Sequence, residues 1–230
     1  LGADHKLIGA QLIATMKLLG ETPPSIVHFE FVSLPEGSMS TRQGKFVSAD
    51  SLIAEVAARA FDEVTARRTE LDEPARRAIA RSVAVAAIRY DMVKISPEKA
   101  MVFDWKEALD SERQSGPYIQ YAHARACSIL EKAGPFGRAF EFRDPMEIEL
   151  AKAIARFPAV VEQVTVDLRP HLLASYVHEL ANIFNTFYQH LPVLKSGGVT
   201  RESRLTLVAA TANTLKEALL TLGIDALDTM

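Results

Sequence analysis

The sequence predicts an α/β piece, the end of a sheet domain, followed by an all-α helical bundle. Three observations carry this. A seven-residue stretch at 26–32 (IVHFEFV) alternates apolar and polar residues, as a half-buried strand does. The chain changes texture near residue 72. Beyond that point apolar residues recur at steps of three and four between proline and glycine stops.

Residues 5–19 read as a helix along which Leu7, Gln11, Leu12, Met16 and Leu19 are spaced, with Gly20 as its stop. Thr22-Pro23-Pro24 breaks the chain before the alternating strand, and the polar stretch 35–44, with two glycines, reads as a loop. Ser48-Ala49-Asp50 precedes a helix to about Arg68. Asp72-Glu73-Pro74 puts acids and a proline in a first helical turn, where the missing proline N–H has no partner to lose. The helix that follows carries Ile79, Val83, Ala86, Tyr90 and Val93 on one stripe. Further helices are expected from Ser115-Gly116-Pro117 to Gly134 and from about Pro145 to Arg156, before Pro158. Asp167 is expected to cap the next, with Leu168, Leu172, Tyr176, Leu180, Ile183, Phe187 and Leu191 inward. The last carries Leu205, Val208, Ala212, Leu215, Leu219 and Leu222 up to Gly223. Helices joined by short polar turns make a bundle. The expected division is 1–71 and 72–230.

The chain has 230 residues, 48% of them hydrophobic, and no run of 18 apolar residues, so no membrane span is expected. It begins with Leu1 and no leader precedes a cleavage site. A start in mid-motif points to an excised piece. The single cysteine, Cys127, excludes an internal disulfide and any Cys-based zinc site, and is expected to be a small buried apolar residue in a reducing compartment. His28, His171, His178 and His190 lack metal-ligand spacing, so no metal site is expected. A net charge of −3 argues against a generic polyanion binder; any RNA contact must use local basic patches. Arg76, Arg77 and Arg81 form a basic ridge, a solvated face by default and a phosphate track as the alternative.

The stretch Gly37-Ser38-Met39-Ser40-Thr41-Arg42-Gln43-Gly44-Lys45 is small, hydroxyl-rich and basic. Such a loop presents N–H groups, hydroxyls and a guanidinium to phosphate oxygens, with Arg42 and Lys45 placed to neutralise a triphosphate; a surface turn is the alternative. It lacks P-loop spacing. Met-Ser-Thr-Arg-x-Gly resembles the variant K-M-S-K-S loop of arginyl-tRNA synthetases. Gly2-Ala3-Asp4-His5, leading into a helix with Gly9-Ala10-Gln11, is similar to the nucleotide-side motif of the same family. Gly116-Pro117-Tyr118-Ile119-Gln120-Tyr121-Ala122-His123-Ala124-Arg125 resembles its G-P-Y-x-Q-Y-A-H-A-R run. Tyr118, Tyr121 and Arg125 share one helical face, read as packing on the catalytic domain, with direct tRNA contact as the alternative. Asp167-Leu168-Arg169-Pro170 through Phe184-Asn185-Thr186-Phe187-Tyr188 to Pro192-Val193-Leu194, and Leu222-Gly223-Ile224 with Met230, extend the likeness to nearly the whole chain.

The resemblance implies ATP-dependent ligation of L-arginine to tRNA(Arg), with magnesium accompanying the ATP. It implies that Gly2, Asp4, His5, Met39 and Lys45 contact ATP, and that Ser40, Thr41 and Arg42 close over the phosphates. It implies that Tyr188, Pro192 and Met230 meet the anticodon, Tyr188 by stacking, while Phe184 and Phe187 read as core. It further implies a cytoplasmic, monomeric enzyme that binds neither DNA nor membrane. No H-I-G-H-type motif is present, so the chain is not expected to activate arginine alone. The alternatives are a cysteinyl- or methionyl-type class I synthetase, or a non-catalytic helical RNA- or protein-binding module.

Overall fold

The chain's first residues are tied to the alternating segment. Ala3 N donates to Phe29 O at 2.9 Å and Phe29 N to Leu1 O at 3.0 Å, making a parallel bridge between Gly2 and Phe29. A second parallel contact, β1 (Val32–Ser33) with β2 (Met101–Val102), continues the same edge. In this computed structural model, which describes residues 1–35 and 48–230, these segments and α1 (Lys6–Leu18) belong to one compact unit. It comprises the described residues up to 35 together with Ile95–Asp104. A second unit, Ser48–Lys94 with Trp105–Met230, is helical.

The expected strand over 26–32 is therefore reduced to a bridge at Phe29 and a ladder at 32–33. Alternation supplies a face, but a strand also needs neighbours for its N–H and C=O groups, and only two short segments supply them. Phe29 is 56% exposed and Phe31 65%. A single turn of tighter helix, Ala3–His5, leads into α1, and Gly20, at φ 77°, ends it as expected. Of α1, only Gly9 is buried; Leu7, Leu12 and Leu19 are exposed.

In the helical unit, local chemistry sets the starts. Ser48 accepts from Ser51 N to open α2 (Ala49–Arg67), and Asp72 accepts from Ala75 N to open α3 (Glu73–Val93). α2 lies on α3, so the change of texture at residue 72 coincides with the junction between two helices of one unit. α4 (Trp105–Leu109), one turn that periodicity did not predict, precedes α5 (Gly116–Ala133). Gly116 opens α5 against α3: a Cβ there would stand 2.2 Å from Ala86 O, so only glycine lets the two backbones meet. Asp144 and Glu147 form a reciprocal capping box at the head of α6 (Pro145–Ala155).

The stretch expected to be a break at Pro158 is α7 (Phe157–Asp167), with the proline in its first turn. Asp167 closes this helix instead of capping the next. The chain then turns at Leu168, which is left-handed (φ 55°) and exposed, into α8 (His171–His190). α9 (Gly198–Thr221) ends at Gly223, φ 70°.

The core lies between α3, α5, α6, α8 and α9. Ile119, Leu150, Leu180, Phe184, Phe187, Leu205, Leu215 and Leu219 are fully buried there. Burying one such side chain contributes about 1.5–3 kcal/mol. Buried hydroxyls are satisfied across helices: Tyr90 donates to Ala174 O and Tyr176 to Ala153 O, both at 2.9 Å. Arg204 of α9 donates to Glu147 at 2.7 Å, with the two side chains 12% and 3% exposed. Glu147 therefore caps α6 and anchors α9 at once. Burial by itself raises its pKa, but hydrogen bonds from Arg204 and from the N–H groups of Arg143 and Asp144 hold it below the usual carboxylate value.

Candidate functional site

The nucleotide-side residues sit where the tight turn enters α1. Asp4 and His5 are both exposed, and His5 Nδ1 lies 2.8 Å from Asp4 Oδ1. A Cβ on Gly2 would stand 2.7 Å from the same Asp4 oxygen, so glycine clears the carboxylate. A hydrogen-bond acceptor fixed beside an imidazole suits ribose hydroxyls and a heterocycle edge. The expectations for Met39, Ser40, Thr41, Arg42 and Lys45 lie outside the described residues.

The aromatic expectations fall on the helical unit. Phe184 and Phe187 are fully buried, while Tyr188, on the next helical position, is 40% exposed. The Tyr188 ring stacks on Phe184 with centroids 6.5 Å apart. From α5, the guanidinium of Arg125 lies 4.6 Å from the Tyr121 ring and 5.5 Å from that of Tyr188. Arg125 also donates to Asn185 Oδ1 at 2.8 Å. Tyr118 completes the network, donating to Asn182 Oδ1 at 2.6 Å and accepting from Asn185 Nδ2 at 2.8 Å. The polar ends of Tyr118 and Arg125 are thus engaged by α8, a different partner from the catalytic domain expected for this face. Its outward edge is a tyrosine–arginine–tyrosine row of Tyr121, Arg125 and Tyr188. Flat π-faces beside a cation suit unstacked bases.

Met230 is half-buried against Val64, Val83 and their neighbours. It lines a cleft of about 550 Å³ with Tyr121, Trp105, Arg59, Arg67, Arg68 and Lys106, among others. Tyr121 thus joins the cleft to the Arg125–Tyr188 row. The cleft also carries Asp62, Glu63, Asp110 and Glu112, so its charge is balanced. Arg59 stacks on Trp105, 3.5 Å from the ring centroid, a pairing that no sequence spacing announced. Pro192 is exposed beyond the end of α8, and its carbonyl accepts from Arg204 at 2.9 Å. Of the ridge arginines, Arg77 is ion-paired with Glu73 at 2.6 Å and lies over Phe61, which agrees with the solvated-face reading for that residue.

The chain's last residues are held by one face of α5. Gln120 Nε2 donates to Asp225 O at 2.8 Å, and His123 Nδ1 to Leu227 O at 2.9 Å. Cys127 lies 3.7 Å from Asp228 Oδ1. Cys127 is half-buried and polar in its surroundings, a different setting from the apolar burial expected of it. Burial first, then the Asp228 carboxylate, push its thiol up to about 11, with Lys216 pulling the other way.

Residues 119–230 match the DALR anticodon binding domain family. The whole chain is 72% identical over 230 residues to the arginine–tRNA ligase of Methanoregula boonei, of which it covers 41%. It is 65% identical to that of Methanocorpusculum labreanum, again over all of this chain and 42% of the relative. The fold superposes on Thermus thermophilus arginyl-tRNA synthetase with a TM-score of 0.92 and 34% identity, over 100% of this chain and 40% of that one. The chain thus spans about two-fifths of the relatives it matches. These matches, on a short α/β unit and this helical unit, align the chain with the C-terminal part of arginyl-tRNA synthetases.

Proposed function

We propose that the chain serves a monomeric, cytoplasmic arginine–tRNA ligase, contributing part of the ATP site and the surface that grips the anticodon loop of tRNA(Arg). Residues 1–71 would be the tail of the catalytic domain and residues 72–230 the anticodon-binding bundle. The observation that carries the reading is the row of two exposed tyrosines, Tyr121 and Tyr188, with the half-buried Arg125 between them, which lies within the matched anticodon-binding region. Two exposed rings beside a cation can take bases turned out of a loop, and each base stacked on an aromatic ring contributes about 1–3 kcal/mol. Pro192, beyond the end of α8, would edge the same surface. Met230 would close it through the cleft it shares with Tyr121.

On the nucleotide side, Gly2, Asp4 and His5 would hold the nucleoside. The Asp4 carboxylate accepts from ribose hydroxyls and His5 meets the base or the amino-acid substrate. Met39 and Lys45 would contact ATP, while Ser40, Thr41 and Arg42 would cover its phosphates. Magnesium would enter with the ATP, held by phosphate oxygens. The exposed apolar side chains Leu7, Ile8, Phe29 and Phe31 support this reading. They form the kind of face that the remaining three-fifths of a relative would cover, where L-arginine would bind.

The test is binding of the 230-residue chain to a tRNA(Arg) transcript and to the same transcript with its anticodon exchanged. The proposal expects the exchanged transcript to bind at least about 10-fold more weakly, the effect of about 1.4 kcal/mol. Equal affinity for both would reject it. Arginine-dependent pyrophosphate exchange by this chain alone is expected to be absent.

A further inference from the structure

Residues 225–230 form neither helix nor strand. Ile224 N still donates to Leu219 O, but beyond it no backbone group of the segment bonds to another backbone group among the described residues. A segment without a ladder takes its register from side chains. Its start is fixed. Gly223 stands at φ 70°, and a Cβ there would lie 2.4 Å from Arg89 Nη1, so an arginine of α3 closes over the turn out of α9. Ile224 follows at 1% exposure. From there two side chains of α5 take over. Gln120 Nε2 reaches Asp225 O at 2.8 Å and His123 Nδ1 reaches Leu227 O at 2.9 Å.

Both donors are buried, and both are committed to this segment. A carbonyl oxygen only accepts, so the contact with Leu227 O requires a ring N–H on Nδ1 of His123, and the contact with Asp225 O requires the amide nitrogen of Gln120. Gln120 Nε2 also donates to Ser82 Oγ of α3 at 3.2 Å, while its Oε1 is buried with no partner among the described residues. The reversed amide would give Oε1 the Ser82 hydroxyl as a donor but would set it against Asp225 O. A buried acceptor left alone is unfavourable, and here the bond to the segment is what holds the amide that way round. Gln120, His123 and Cys127 lie on one stripe of α5 and meet 225, 227 and 228 in that order. The segment therefore runs alongside α5 in the same direction and bends at Asp228. Beyond the bend, Met230 lines the cleft with Pro117 and Tyr121, from the start of α5, and packs with Leu227 on Ala60, Val64 and Val83. A slip of the segment along α5 would carry Met230 away from Tyr121.

We propose that Gln120 and His123 are positioning residues for anticodon recognition: they set the register and the bend of residues 225–230, and so the place of Met230 at the Tyr121 end of the aromatic row. The inference rests on the anticodon reading of that row. α5 then serves the site with two faces. Tyr121 and Arg125 stand at the surface that meets the bases, and Gln120 and His123, buried behind it, act through the last residues of the chain.

The test has two arms on the 230-residue chain. In the first, the methionine methyl groups carry carbon-13, and the Met230 signal, identified among the six methionines by its loss in Met230→Leu, reports the end of the chain without RNA. His123→Ala and Gln120→Met each remove one donor and are expected to shift that signal to the sharp position of an unpacked methionine. His123→Asn, whose side-chain N–H can stand where the ring N–H stood, is expected to restore it. In the second arm, both donor-less variants are expected to bind tRNA(Arg) about 2- to 10-fold more weakly, with the anticodon-exchanged transcript unaffected. In a chain lacking Thr229 and Met230 the same substitutions are expected to have no further effect, because groups acting through one element are not additive. A merely structural loss would weaken both transcripts alike and would add to the truncation. An unmoved Met230 signal in both variants overturns the proposal. Discrimination between the transcripts that persists in both variants overturns it too, and leaves the anticodon reading intact. Equal binding of the two transcripts by the parent chain overturns that reading and this inference with it. Should His123→Ala fail to fold, Gln120→Met, similar in length and shape, decides alone.

Discussion

Arg125 lies across two tyrosines from different helices, 4.6 Å from the Tyr121 ring beside it on α5 and 5.5 Å from the Tyr188 ring on α8. Asn185 holds the guanidinium in that place from the side. The arrangement gives Arg125 two jobs that mutation can separate, orienting the rings and presenting positive charge.

Tyr188→Ala is therefore expected to weaken binding of tRNA(Arg) by about 5- to 150-fold, the range of one lost stacking platform of about 1–3 kcal/mol. Tyr188→Phe, which keeps the ring, is expected to stay within about threefold of the parent, since the stacking is retained. Fluorescence anisotropy with labelled tRNA measures both. Equal losses in the two variants would reject stacking as the source of affinity.

Glu147 and Arg204 form a pair in which each side chain serves a second element. Glu147→Gln is expected to destabilise the chain by about 3–5 kcal/mol, the cost of leaving a buried partner uncompensated. Urea unfolding followed by circular dichroism measures it. The pH dependence has a definite sign. Because the native Glu147 pKa lies below its ordinary value of 4.5, the stabilisation is present above about that pH and disappears as pH falls through the native value. The parent should lose this share of stability on acidification, and the glutamine variant should show a flatter acid limb.

At the alkaline end, Tyr90 and Tyr176 govern. Burial raises both hydroxyls from 10 to about 12. A raised native value means that the stability they contribute is whole below pH 10 and is lost as pH rises from 10 to 12. Tyrosinate absorbance in that window is expected to rise together with loss of helical ellipticity. Tyr90→Phe, which removes the hydroxyl donor to Ala174 O, is expected to cost about 0.5–1.5 kcal/mol, the worth of one hydrogen bond, because that carbonyl keeps its partner within α8.

Gly116→Ala tests the closest backbone approach in the bundle. The added methyl would stand 2.2 Å from Ala86 O, so α3 and α5 must separate. A loss of at least about 1–3 kcal/mol is expected, as for other overpacked cores, read as a lowered melting temperature.

Sequence legibility followed the range of the forces involved. The starts of α2, α3, α5 and α6 were plain because a capping side chain acts within three residues. The buried stripe of α3 and the contrast between Phe187 and Tyr188 were equally plain, since helical periodicity separates a core position from its neighbour. α7 was hidden because Pro158 reads as a break, although a proline in a first turn forfeits no intrahelical bond. The strand at 26–32 was overstated because alternation shows a face and says nothing of hydrogen-bonding neighbours. In the candidate site, Tyr188 and Met230 are expectations drawn from motif resemblance. Arg59 over Trp105, and Asp228 beside Cys127, were not legible, because contacts between residues 46 and 101 positions apart leave no periodic trace.

One helix stands apart from the rest. α7 has no buried residue along its eleven positions, and Val166 is 76% exposed. Its amides rest on the helix's own ladder and on the partial cover of Phe157, Val160 and Val164, which lean on the core. Opening it costs far less than opening α8, so deuterium should enter 157–167 while the neighbouring helices stay protected. A protease should nick the chain there first, leaving two pieces that remain associated, because the core joining α6 to α8 and α9 does not pass through the severed helix.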